Sequence, residues 1–87
     1  TPEVIAIRNE GLEKTVNQLV NEGVMPAGEY GVVNVNSAEK APNYNYAYRF
    51  NLDVSDGEGN EFNVVFTVWM NWENVQQVFN IEGQRIN

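Results

Sequence analysis

The hydrophobic period of this chain changes once, at Glu29, and that single change limits the folds open to it. Before it, apolar residues fall at Ile5, Leu12, Val16, Leu19 and Val20, the spacing of one helical face, with Arg8, Asn9, Glu10, Lys14, Asn17 and Gln18 between them. Thr1-Pro2-Glu3 reads as the helix start: Thr as N-cap, Pro in the first turn, and an acid facing the positive end of the dipole. Gly11 weakens the middle by about 1 kcal/mol relative to Ala, which leaves two readings. One is a continuous helix over 2–22; the other is an extended lead with a helix capped at Asn9. The first is preferred, with Gly23 as the residue after the C-cap and Pro26 beyond it.

After Glu29 the period is 2. Tyr30 to Asn36 reads as a first strand, with Val33 and Val35 opposed by Asn34 and Asn36. The segment 37–43 has no periodicity and contains Pro42, so it reads as a loop. Tyr44, Tyr46, Tyr48, Phe50, Leu52 and Val54 then alternate with polar or small residues, the clearest strand signal present. Ser55 to Asn60, with Asp56-Gly57 at its centre, is a hairpin turn. Phe62, Val64, Phe66, Val68 and Met70 face one way along a third strand, and Asn63, Val65, Thr67 and Trp69 the other. Asn71 to Asn74 turns into a fourth strand carrying Val75, Gln77, Phe79 and Ile81, and 83–87 is expected to fray. One helix and four antiparallel strands joined by short turns predict a single α+β domain over 1–87, the helix covering one face of a meander sheet.

Composition narrows the chemistry. The 87 residues contain neither His nor Cys, which removes the commonest general base, the commonest metal ligands, disulfides and a thiol nucleophile. Ser37 and Ser55 have no base placed beside them, and the acid pairs Asp53/Asp56 and Glu58/Glu61 flank a turn, so the expectation is that the protein is not an enzyme. Asp53, Asp56, Glu58 and Asn60 are oxygen ligands at alternate spacing, but turn chemistry explains them better than a calcium loop; no cofactor or metal is expected. Twelve acids against five scattered bases give a net charge of −7, which disfavours nucleic acid and anionic membranes as partners. No apolar run approaches the roughly 20 residues that span a bilayer. A start at Thr1 without Met fits a processed chain or an excised domain, which favours a secreted protein or a piece of a larger one; the compartment is otherwise undetermined.

Trp72 falls in a turn, where an aromatic is costly unless it packs locally or binds a partner. Tyr44 and Tyr46 stand at the mouth of the first hairpin loop and are further contact candidates.

Several stretches resemble the cystatins in order and spacing. Thr1-Pro2-Glu3 looks like the helix start of the cytosolic stefins, and Leu12-Glu13-Lys14-Thr15-Val16, with Asn21, is loosely similar to the plant-cystatin helix signature. The run Val68-Trp69-Met70-Asn71-Trp72-Glu73-Asn74-Val75-Gln76-Gln77-Val78-Phe79 resembles the Val-Trp, Pro-Trp, Leu-Gln-Glu-Phe run that closes plant cystatins. The resemblance spans roughly residues 2 to 82. It implies a helix cradled by a four-stranded sheet and reversible, non-covalent inhibition of papain-like cysteine proteases by a wedge made of an N-terminal trunk and two hairpin loops. Trp72 matches the second-loop Trp, and Asn71 stands where the family has Pro. The first loop, Glu39-Lys40-Ala41-Pro42-Asn43-Tyr44-Asn45, lacks the family's Gln-X-Val-X-Gly and is longer, and the helix start leaves no trunk.

The resemblance therefore implies a protein partner, a papain-like protease in the leading reading, contacted through Lys40, Ala41, Pro42, Asn43 and Tyr44 of the first loop and Asn71, Trp72 and Glu73 of the second. The alternative is a non-inhibitory interaction module of a larger or engineered protein. Either would be a monomer, or a dimer that exchanges strands about the first loop.

Overall fold

The computed structural model describes residues 1–41, 46–71 and 74–87. Its first element, α1, is the continuous helix Pro2–Asn21. Thr1 Oγ1 accepts the Val4 N–H at 3.3 Å, and Pro2 and Glu3 occupy the first turn as the sequence predicts. The other end is a Schellman motif: Gly23, at φ 77°, donates to Val20 O at 3.0 Å, and Val24 donates to Leu19 O at 2.9 Å. A residue with a Cβ would be strained at that φ, so Gly23 is what lets the helix stop and the chain turn back.

Four strands follow: β1 (Gly31–Lys40), β2 (Ala47–Ser55), β3 (Glu61–Met70) and β4 (Val75–Arg85). They form one antiparallel sheet in the order β1-β2-β3-β4, so the architecture is α+β, a helix on a four-stranded meander. The inner face carries Phe50, Leu52 and Val54 from β2 and Phe62, Val64, Phe66 and Val68 from β3, all essentially without exposure to solvent. Leu12, Val16 and Leu19 of the helix close that layer. Burying side chains of this size contributes about 1.5–3 kcal/mol each. The rings of Phe50 and Phe66 lie 5.6 Å apart at its centre.

The helix does not lie over the middle of the sheet. It packs on β3 and β4, and beside β1 it leaves an open groove of about 730 Å³ whose walls include Arg8, Leu12, Val16, Tyr30 and Val32. The offset accounts for one departure from the helical reading. Ile5, expected in the buried stripe, is 48% exposed, while Val4 and Ile7 on the adjoining flank pack against the core.

The strand boundaries also differ from expectation. Ser37 to Lys40 form no loop but extend β1, pairing with Asn51, Phe50, Arg49 and Tyr48. An edge strand with both sides largely wet needs no apolar alternation, so it leaves no periodic signal. At the start of β2, Tyr46 has φ 59° and lies outside the strand, and the next residue, Ala47, is buried. In β4, Phe66 faces both Asn80 and Ile81, a bulge with Asn80 at φ 52°. A separate register shift between Trp69 and Met70 has already placed Gln77 and Phe79 on the outer face, opposite Trp69 and Thr67, and the Asn80 bulge returns Ile81 to the inner one, so simple alternation fails along β4. Arg49 reaches across from β2 to fix this bulge, donating to Asn80 O at 3.2 Å and to Thr67 Oγ1 at 2.8 Å, and pairing with Glu82 at 3.3 Å.

The C-terminal residues do not fray. β4 runs to Arg85, whose guanidinium lies 4.6 Å from the centre of the Phe62 ring, and Asn87 O accepts the Glu61 N–H at 3.0 Å. Both edge strands carry register shifts while β2 and β3 pair without interruption, an arrangement that disfavours edge-to-edge association.

Candidate binding edge

The β1–β2 and β3–β4 hairpin connections emerge at the same end of the sheet. The first closes with the Ala41 N–H donated to Ala47 O at 2.9 Å. One strand over, the Met70 N–H is donated to Tyr46 O at 3.0 Å, which ties the mouth of the first connection to the last residue of β3. The second connection leaves from Met70 and re-enters at Val75, its pairing partner. Asn71 Oδ1 accepts the Asn74 N–H at 3.0 Å, and Gln76 Nε2 donates to Asn74 Oδ1. Proline has no side-chain acceptor, so Asn71 supplies a turn closure that a proline at this position could not.

The sequence-derived contact residues divide accordingly. Lys40, Ala41 and Asn71 come together at this end, Lys40 paired with Tyr48 and exposed, Asn71 exposed. Pro42, Asn43, Tyr44, Trp72 and Glu73 lie outside the described residues. Two aromatics are exposed beside them. Tyr46 is 61% exposed, and Trp69, which pairs with Ala47 beside it, is 41% exposed on the outer face. Tyr46 was readable as a loop-mouth candidate. Trp69 was readable only as a residue opposite the core; alternation gives its face but not how much of that face other side chains cover.

Away from this edge, the outer face carries a ladder of amides. Asn36 Nδ2 donates to Asn51 Oδ1 at 3.1 Å and Asp53 Oδ1 at 3.0 Å, and Asn63 Nδ2 donates to the same two atoms at 2.6 and 3.0 Å. Asp56 is itself saturated: Oδ1 accepts the N–H groups of Glu58 and Asn60, and Oδ2 accepts Asn60 Nδ2 at 2.7 Å. The Asp56 carboxylate stabilises the turn, and no group of three or more acidic side chains among the described residues could hold a metal ion.

The Asn60 side-chain bond, followed by the backbone donor of Glu58, holds the Asp56 carboxyl below its ordinary pKa. A carboxyl depressed in the folded state adds stability that is complete above its unfolded pKa and is lost as pH falls through the folded value. Asp56→Asn should therefore lower the urea midpoint at pH 7, with the gap from the parent closing as pH falls toward 2. A gap independent of pH would show that the charge of Asp56 is not what fixes the turn.

No protein-family model, no curated protein and no solved structure matches this chain.

Proposed function

We propose that the domain is a cystatin-like protein-binding module whose partner docks on the two-loop edge, with a papain-like cysteine protease as the target. The observation that carries this reading is the exposure of Tyr46 and Trp69 together beside both hairpin connections. Neither ring serves the core, and Tyr and Trp are the residues that most often dominate protein interfaces. The resemblance of Val68 to Phe79 to the closing run of plant cystatins supplies the choice of target, with Trp72 as anchor and Lys40, Ala41, Pro42, Asn43, Tyr44, Asn71 and Glu73 around it. Binding of this kind blocks a cleft by shape and apolar contact, with no covalent step.

Steady-state inhibition of a panel of papain-like proteases tests it. The expected result is reversible inhibition that weakens about tenfold or more in Trp72→Ala and in Tyr46→Ala, since truncating an interface anchor typically costs 2 kcal/mol or more. Absence of inhibition at about 100 μM, or inhibition unchanged in both variants, overturns the protease target.

A second reading, a non-inhibitory interaction module, is favoured by the first loop, where the Gln-X-Val-X-Gly pattern is missing. It keeps the same edge and changes the partner.

A further inference from the structure

A groove of about 440 Å³ runs alongside the loop edge, between the first turns of α1 and the end of the sheet. Its floor is apolar: Val4 and Ile7 on the helix side, Met70 and Val75 on the sheet side. Its rim carries two exposed carboxylates, Glu3 and Glu10, and no basic residue among those lining it. Of the nearest bases in sequence, neither is paired with these carboxylates. Arg8 donates Nε and Nη2 to Asn9 Oδ1 and lines the groove on the other flank of the helix. Lys14, one turn beyond Glu10, makes no ion pair with it, and the ion pair found among the described residues is Arg49–Glu82 on the outer face.

An apolar floor with an unpaired carboxylate at its rim matches one kind of side chain: a long hydrocarbon stem ending in a cation. We propose that this groove receives an arginine or lysine side chain of the protein partner, its stem on Val4, Ile7 and Met70 and its charge at Glu10. The proposal rests on the reading of the loop end as a binding edge, which the groove continues through Asn71 and Asn74. Helix polarity separates the two carboxylates. Glu3 lies in the first turn, where it answers the positive end of the helix dipole; Glu10 lies about 10 Å further along, beyond the reach of that dipole. Glu10 is thus the anchor, and Glu3 removes a repulsion. The net charge of −7 adds a long-range attraction for basic partners.

The test is an NMR titration of the whole chain, at low salt, with a blocked pentapeptide of glycine and serine carrying one central arginine. The same peptide with citrulline, equal in shape and uncharged, is the comparison. The arginine peptide should shift the amide signals of Ile7, Glu10 and Met70 in a saturable way. It should bind at least about tenfold more tightly than the citrulline peptide and weaken about tenfold in Glu10→Gln, with a smaller loss in Glu3→Gln. Because both carboxylates are exposed, these variants keep the fold, which the unchanged remainder of the spectrum verifies. Equal binding of the two peptides, shifts centred away from the groove, or affinity unaffected by Glu10→Gln overturns the proposal. Protease inhibition does not enter this readout, so failure of the protease target and failure of the groove assignment are distinguishable.

Discussion

Phe66→Ala is expected to remove about 3–5 kcal/mol of folding free energy, the largest loss for any single substitution considered. Phe66 has no solvent exposure and sits at the centre of the seam between helix and sheet. Its ring is 5.6 Å from that of Phe50, and its Cε2 lies 2.9 Å from where a Cβ on Gly11 would stand. Truncation removes the transfer free energy of the ring and opens a cavity that neighbours on three elements must collapse to fill. They are badly placed to do so: the β2–β3 register is uninterrupted, and the helix already touches the sheet at Gly11. A domain of this size has about 5–15 kcal/mol in total, so the variant should be marginally folded at 25 °C. Urea denaturation gives the measurement, with Phe66→Leu as the control expected to lose far less. A loss below about 1.5 kcal/mol, the range of volume-conserving swaps, would mean that the helix does not rest on this ring.

Gly11→Ala sets two effects of opposite sign against each other. Helix propensity favours the substitution by about 1 kcal/mol in the middle of a helix. Packing opposes it, because the new Cβ would lie 2.5 Å from Val68 Cγ2 and 2.9 Å from the Phe66 ring, well inside contact distance. Overpacking of a closed core costs about 1–3 kcal/mol, and both obstructing side chains are fully buried. The net is a loss of up to about 2 kcal/mol, or up to roughly 15 °C in Tm for a domain this small. The companion Val68→Ala distinguishes a steric origin from a weakened helix. If the clash is responsible, the double variant is more stable than the two single losses summed predict. If Gly11→Ala raises Tm, the helix stands further from the sheet than these distances place it.

The same glycine shows what sequence reasoning reaches. Gly11 was readable as a weak point in a helix, with a broken helix as the alternative, because propensity is a local quantity. Its purpose, letting α1 approach Phe66 and Val68, depends on residues more than fifty positions away and has no local signature. The helix ends were legible because Thr1-Pro2-Glu3 and Gly23 act within one turn of themselves. The inner faces of β2 and β3 were legible because burial imposes alternation on them. Ser37 to Lys40 were not, since an edge strand is written by its partner rather than by its own pattern. The faces of β4 were not legible either, since the register shifts beside Met70 and at Asn80 leave no local signature. At the candidate edge, Tyr46 and Asn71 were legible as loop residues. The role of Asn71 in closing its turn, the exposure of Trp69 and the acidic-rimmed groove required the three-dimensional arrangement.

The offset of α1 onto β3 and β4 has a consequence for synthesis on the ribosome. Within this domain the helix emerges before any strand, and the strands it covers emerge after the others. At about 5–20 residues per second, the interval between them is a matter of seconds, during which Leu12, Val16 and Leu19 have no sheet to rest on. Most helical stability in proteins comes from packing of the amphipathic face, so the nascent N-terminal segment carries its apolar stripe exposed while the hairpins assemble one after another beside it. Docking of the helix is then the closing event, and the chain is open to chaperones or aggregation until Val75 to Arg85 has cleared the exit tunnel.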